Sequence, residues 1–376
     1  MSKLHQILIA LLVAQLALVA VVFWPRPAPA DAVGAPFFSE INAADISTLV
    51  IRDDQGKSIK LSKPAGQWIL PEFSDYPAQA DKITPLLTRI AGLTSDRLVT
   101  RTEASQKQLQ VADDKYVRRL ELQTSGGASQ VLYLGSSAGA QTIHVRVGSQ
   151  KEVYLARDLN SWDFSTDPIS WVDAAYLSVP KENVVSLTLG NANGQWTFEK
   201  DASGNWTMQG PSTGSGQGPS TGSGQGPSTG SGQGPSTGSG QGPSTGSEQG
   251  PSTGSGQGLA EGETFDTNNF TTVLNEATSV RMTRPLGKTA EATFGMDQPS
   301  AMVTLKTQKD GQEKTYTLTV GARDPADNSY VVKSSESLYY VKVAEYSVKD
   351  LVEKTRDGFL QLPPTPAPAP APTPAS

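Results

Sequence analysis

Two histidines, His5 and His144, are the whole imidazole inventory of this 376-residue chain, and it has no cysteine. A protein zinc site takes three or four Cys, His or carboxylate ligands, and a serine triad needs a histidine between an acid and a nucleophile. His5 precedes an apolar run, and His144 lies in TIHVRV, a strand-like alternation, so neither has partners at ligand spacing. The lack of thiols removes disulfides, thiolate metal sites and cysteine nucleophiles together. Carboxylates are the remaining route to chemistry. The nearest pairs are Asp53 with Asp54, Asp113 with Asp114, and Glu261 with Glu263. Paired-acid glycoside hydrolysis needs two carboxyls facing across a cleft. Each of these pairs instead falls in a turn or loop pattern, where short acids bond to nearby backbone N–H groups. Neither a calcium loop D-x-D-x-D-G nor a phosphate loop G-x-x-x-x-G-K-[S/T] occurs. No catalytic, metal or cofactor-binding residue is therefore assigned, and the chain reads as a non-enzymatic protein.

The aromatic residues Trp68, Trp196, Trp206, Tyr154, Tyr339 and Tyr340 could line a glycan or peptide groove. Their strand periodicity and their recurrence in two parts of the chain favour core or sheet-face packing. That recurrence is the main organising feature. ISTLVIRDDQGKSIKLSKPAGQW, ending at Trp68, matches VVSLTLGNANGQWTFEKDASGNW, ending at Trp206, without a gap. Both read as strand, glycine turn, strand, glycine turn. Further on, Gly135 matches Gly321, and VRVGSQKEVYL from Val145 matches VVKSSESLYYV from Val331, which sets His144 against Tyr330 and Tyr154 against Tyr340. Between these blocks each copy carries one amphipathic helix. The first has the stripe Ile83, Leu86, Leu87, Ile90 and Leu93, with Asp81 as N-cap and Pro85 in the early turns. The second has Phe270, Val273, Leu274, Ala277 and Val280, with Asp266 or Thr267 as cap.

The unit PSTGSGQG runs six times from Pro211 to Gly258, with Glu248 the one deviation. Trp68 to Leu87 is 19 residues, whereas Trp206 to Leu274 is 68, an excess of 49; six units of eight make 48. The array is thus an insertion inside the second copy rather than a linker between copies. Its lack of apolar side chains predicts a disordered loop. It reads as neutral expansion, or as a displayed spacer or Ser/Thr modification target.

At the N-terminus, Ile7 to Trp24 is an 18-residue apolar run with one polar side chain, Gln15. At 1.5 Å per residue it spans roughly 27 Å, about one hydrocarbon core, and is predicted to anchor the chain in the lipid bilayer. A cleaved signal peptide ending at Ala28-Pro29-Ala30 is the alternative, although its apolar core would be shorter. Lys3 and the terminal amine precede the span and Arg26 follows it, so the short end is expected to be cytoplasmic and the bulk of the chain outside. A net charge of −6 with no Lys/Arg run gives no footprint for nucleic acid.

The expected fold class is α+β: two tandem repeats, each an antiparallel β-rich sheet with one helix, behind an N-terminal transmembrane helix. The organisation is residues 1–24 anchor, 25–45 Pro/Ala-rich tether, 44–175 copy one, 182–361 copy two interrupted by the 211–258 array, and 362–376 a Pro/Ala-rich disordered tail. The turn Phe294-Gly295-Met296-Asp297-Gln298-Pro299 before a strand, then Val320-Gly321 and a closing tyrosine strand, resembles the bacterial domain-of-unknown-function family numbered 4340 in both copies. Copy one has Leu109-Gln110-Val111-Ala112 in place of that turn. The resemblance implies a membrane-anchored protein without assigned catalytic residues, associated with ABC-type transporters and gliding-motility-like auxiliary proteins. The expected function is a membrane-tethered extracytoplasmic adaptor or scaffold for an envelope protein such as an ABC transporter subunit; the alternative is a cell-wall glycan or small-ligand binding module. Its binding surface is expected around Asn160 to Lys181.

Overall fold

The computed structural model describes residues 34–38, 41–139, 141–209 and 259–361. The apolar run Ile7 to Trp24, the tether up to residue 33, the array at 211–258 and the tail from 362 lie outside the described residues. Among the described residues no helix is long and apolar enough to cross a membrane. The chain divides into two compact units, Met1–Val172 and Asp173–Ser376.

In the first unit, Ile46–Asp53 (β1) and Ser58–Ser62 (β2) form a hairpin, followed by the short strands Ile69–Leu70 (β3) and Tyr76–Pro77 (β4). Helix Ala80–Ala91 (α1), strand Leu98–Thr100 (β5), helix Glu103–Gln108 (α2) and a small hairpin of Val111–Ala112 (β6) and Lys115–Tyr116 (β7) come next. A meander closes the unit: Arg118–Thr124 (β8), Ser129–Gly139 (β9), Thr142–Val147 (β10) and Val153–Arg157 (β11). Nine strands make one antiparallel sheet in the order β4-β3-β2-β1-β8-β9-β10-β11-β5. Period-two alternation puts Leu49, Ile51, Leu120, Leu122, Leu132 and Leu134 inside with no exposure, joined by Ile83, Leu87 and Ile90 of α1.

In the second unit, Ala175–Ser178 (β12) precedes the hairpin of Val184–Asn191 (β13) and Gly194–Lys200 (β14), then Trp206–Met208 (β15). Helix Thr267–Thr278 (α3) follows, then Ser279–Gly287 (β16), Ala301–Lys309 (β17), Gln312–Arg323 (β18), Tyr330–Ser334 (β19), Tyr340–Val343 (β20) and the short helix Lys349–Glu353 (α4). The sheet runs β12-β16-β20-β19-β18-β17-β13-β14-β15. Read from β3 in one unit and β15 in the other, eight strands follow the same antiparallel order, and both α1 and α3 span 12 residues. The architecture is α+β, as expected.

Two glycines explain why the sheets accept the same cover. A Cβ on Gly135 would meet the Leu109 carbonyl oxygen at 2.1 Å, and one on Gly321 would meet that of Phe294 at 2.1 Å. In both places a backbone turn lies directly on the sheet, so only a residue without a side chain fits. The residue after each carbonyl is left-handed, Gln110 at φ 58° and Gly295 at φ 64°. Copy one therefore keeps the left-handed step over the sheet with Gln110 in place of Gly295, although the hairpin of β6 and β7 that follows has no counterpart in the second unit.

Strand pairing corrects three details of the sequence reading. The hairpins are not matched without a gap. Leu49 pairs with Leu61, but Leu187 pairs with Phe198, because the first turn is one residue longer in the first unit and the second turn one residue shorter. Trp196 thus stands where Ile59 does. In the meander, Val145 pairs with Leu134 and Tyr154, while Val332 pairs with Val320 and Val341. His144 therefore corresponds to Val331 rather than Tyr330, and Tyr154 to Val341 rather than Tyr340. A one-residue slip reverses the face of every side chain, so Tyr154 and Tyr340 point to opposite sides of their sheets. Finally, α1 begins at Ala80 with Gln79 at its cap, and Asp81 lies in the first turn. The chain is fixed there by its backbone: Gln79 N–H donates to the Trp171 carbonyl at 2.7 Å, as Asp266 N–H donates to that of Phe359 at 2.8 Å. Asp266 does cap α3, accepting from the N–H groups of Asn268 and Asn269.

Candidate functional site

The acidic pairs singled out from sequence bond to backbone N–H groups, a hydroxyl or single basic side chains rather than facing one another across a cleft. Asp53 accepts from the N–H groups of Gln55 and Lys57 at 3.0 and 2.8 Å and from the Thr166 hydroxyl at 2.8 Å. Burial opposes its ionisation, but these bonds outweigh it and hold the carboxyl below the usual range. Asp114 pairs with Lys107 at 2.8 Å. Asp113 bonds to Arg146, whose buried guanidinium also donates to the Val111 carbonyl at 2.6 Å and to that of Gln150 at 3.1 Å, and lies 4.4 Å from the Tyr133 ring centre. That cation pins the β6–β7 hairpin to the sheet. Glu263 takes the fork of Arg356 and the Ala260 N–H, and these hold its carboxyl down to about 2. His144 is half-buried, with Nδ1 2.9 Å from the Ser136 carbonyl. Among the described residues no group of three or more His, Cys, Asp or Glu could hold a metal ion.

Of the aromatic residues named above, Trp68, Trp196 and Tyr154 are buried. Trp206 packs at a tilt against Phe270 with ring centres 4.8 Å apart, Tyr340 lies 5.2 Å from Phe294, and Lys288 sits 4.9 Å over Tyr339. They pack; none projects. A different residue does: Trp162, which is 71% exposed. Its turn is held by buried neighbours. Phe164 and Trp171 are inside, the Phe164 carbonyl accepts from Arg118 Nε at 2.9 Å, and Trp171 Nε1 donates to the Ser165 carbonyl at 2.9 Å. Between Trp162 and the outer side of α1 lies a groove of about 370 Å³ carrying Asp81, Lys82, Arg89 and Asp163. Lys82 Nζ donates to the Ser170 carbonyl at 3.2 Å, and Arg89 stands 3.9 Å from Asp163. Trp162 lacks strand or helix spacing to other apolar residues, so periodicity passes over it. The signal available was Ser161-Trp162-Asp163, an indole between a hydroxyl and an acid after the last strand.

Trp162 lies within the 160–181 stretch expected to form a binding surface. The rest of that stretch is structural. Up to Val172 it packs into the first unit; beyond, Tyr176 OH donates to the Tyr339 carbonyl at 2.7 Å and accepts from Ser334 N–H at 2.9 Å inside the second unit.

The second unit offers a different surface. Strand pairing aligns Thr197, Thr188, Thr304 and Thr317 in one row across β14, β13, β17 and β18, with the Thr188 and Thr197 hydroxyls 3.1 Å apart. The next row holds Gln195, Gly190, Met302 and Thr319, with Met302 46% exposed. Alternate residues Leu187, Leu189, Val303 and Leu305 are buried, so these rows face outward. The result is an uncharged, four-strand face edged by Glu199 and Lys306.

In comparisons with known proteins, the model of a family described as "Domain of unknown function (DUF4340)" matches residues 68–221. The match covers α1, the first meander and the second unit's hairpin, which supports the resemblance for that stretch and assigns no activity. No curated protein and no solved structure matches the chain.

Proposed function

We propose that this chain is a non-enzymatic, membrane-tethered adaptor that works outside the cytoplasmic membrane of a bacterium and docks another envelope protein. The partner class is a membrane or transport protein, with an ABC-type transporter subunit the partner implied by the family resemblance. The observation that carries the reading is the uncharged threonine face of the second unit. Interface centres are depleted of charge and flat, and a wide hydroxyl-lined sheet presents both properties. The apolar run Ile7 to Trp24 supports the tether. The common strand order and the paired glycines Gly135 and Gly321 support tandem duplication as the origin of the two units.

Crosslinking in intact cells, followed by purification from solubilised membranes and mass spectrometry, tests the reading. The expected result is stoichiometric recovery of one envelope protein with the wild-type chain and its loss on Thr188→Lys and Thr304→Lys. Both sites face outward, so each variant should keep its stability within about 0.5 kcal/mol. Recovery of this chain alone from wild-type cells would sink the adaptor reading.

A further inference from the structure

The segment that flanks the helix beside Trp162 is built differently in the second unit. Arg89 is the tenth residue of α1, and Glu276 is the tenth residue of α3. Glu276 accepts from the N–H groups of Asp350 and Leu351 at 3.0 and 3.2 Å, so α4 is seated against α3. Counted from the last strand, Phe164 and Leu351 take the same place, and both are fully buried. In the first unit the segment before Phe164 forms only the single turn Ser161–Asp163. The segment that corresponds to α4, residues 162–166, thus forms no α-helix, and between it and α1 the groove remains.

We propose that this groove is a saccharide-binding subsite, with Trp162 as the stacking platform for a pyranose ring. The inference does not depend on the adaptor reading. Its lining is chemically mixed in a way that selects the ligand. Asp81 and Asp163 offer acceptors, Lys82 and Arg89 offer donors, and their charges sum to zero, so neither a polyanion nor a polycation is favoured. Asp81 has no protein partner among the described residues, and the 3.9 Å between Arg89 and Asp163 is too long for a hydrogen bond. An apolar peptide side chain laid here would cover Asp81 and the loosely paired Arg89 and Asp163 without giving them a hydrogen bond. A sugar satisfies them instead: its hydroxyls donate to carboxylates and accept from cations, while its C–H face covers the indole. A volume of about 370 Å³ is within the range of small-ligand pockets. The anchoring of the turn by Phe164 and Trp171 means the indole is held out before a ligand arrives, which lowers the ordering cost of binding.

The full-length chain in lipid nanodiscs, titrated separately with triacetylchitotriose and with maltotriose and followed by saturation-transfer NMR and calorimetry, tests this. At least one sugar should bind saturably, and Trp162→Ala and Asp163→Asn should each weaken it about tenfold or more. Tyr346→Ala, which removes a 78%-exposed aromatic from the second unit, should leave it unchanged. Trp162 is a surface residue, so its variant is expected to fold. The proposal is overturned if neither sugar saturates by about 10 mM, if Trp162→Ala binds like wild type, or if Tyr346→Ala loses binding equally. Photocrosslinking of a protein at position 162 without sugar binding would reassign the groove to protein docking.

Discussion

Along one row of the first sheet stand Lys60, Val50, Glu121 and Val131; the equivalent row of the second holds Thr197, Thr188, Thr304 and Thr317. The neighbouring row of the first unit is Ser58, Arg52, Arg119 and Tyr133, with Arg52 3.3 Å from Glu121 and Arg119 also paired to it. Strand order, helix length and the sheet glycines agree between the units, while their outward residues and the segments after the last strand do not. The buried positions explain the agreement. An inward leucine has no alternative to the core, whereas an outward residue is constrained only by its cross-strand neighbours, at a few tenths of a kcal/mol. The outward positions are therefore where the two units are free to acquire different partners.

If the sheet glycines hold the cover in both units, replacing either should have a large and similar effect. Gly135→Ala and Gly321→Ala each bring a methyl group within 2.1 Å of a carbonyl oxygen, closer than any relaxation of a flexible side chain can absorb. A loss of about 3 kcal/mol or more in the affected unit is expected. Gly190→Ala, whose new Cβ would have 4.0 Å of clearance, is the control and should cost under about 1 kcal/mol. Urea titration with limited proteolysis as readout reports each unit separately. Equal tolerance at 135 and 190 would break the equivalence of the two covers.

A smaller effect distinguishes the tenth helical position. Burial is the main cause that pushes the Glu276 carboxyl up to about 7 from an ordinary 4.5; the Asp350 carboxylate adds to it, and two N–H bonds and Lys354 oppose it only in part. A carboxyl whose folded value is raised favours the folded state while protonated. That contribution is complete below about 4.5 and is lost as pH rises toward about 7. Ionisation therefore destabilises the second unit between about pH 5 and pH 8, by less than the full shift would give because the carboxyl is partly open to solvent. Glu276→Gln keeps an acceptor for the α4 backbone without the charge. Its melting temperature should be higher than wild type at pH 8 and nearly independent of pH between 5 and 8. Arg89→Gln in the first unit should produce no such change in slope. A wild-type profile that is flat over the same interval would remove Glu276 as the cause of any difference.

Much of the shared scaffold is legible in the chain itself. The apolar stripes predict α1 and α3, Asp266 marks a helix start, and Gly135 and Gly321 match because each lies under a backbone turn. The one-residue slip at His144 is less visible, since the irregular pairings at Ile143–Val145 and Val320–Arg323 displace register without leaving a gap in the sequence. Asp81 resembles a cap by residue type, but a tertiary hydrogen bond from Gln79 sets the helix start. Trp162 is the residue hardest to find, because exposure breaks the apolar spacing by which elements are recognised. Its role depends on a groove that exists only once α1 and the turn at 161–163 meet.

The smallest expected effect concerns the array. Its sequence lies between Met208, which ends β15, and Thr267, which starts α3; the corresponding strand and helix in the first unit are Leu70 and Ala80. The chain on either side is firmly held. Trp206 and Phe265 both pack at a tilt against Phe270, Arg356 clasps Glu263, and Gln361 N–H donates to the Thr264 carbonyl at 2.8 Å. Deleting residues 211–258 shortens a connection of about 58 residues to about ten, and the logarithmic closure law gives a gain of only ~1.6 kcal/mol. A deletion variant should thus melt a few degrees higher with an unchanged circular dichroism spectrum. Lower stability would mean that the array contributes contacts of its own to the second unit, and the match between a strand-to-helix turn in one unit and an expanded turn in the other would fail at that point.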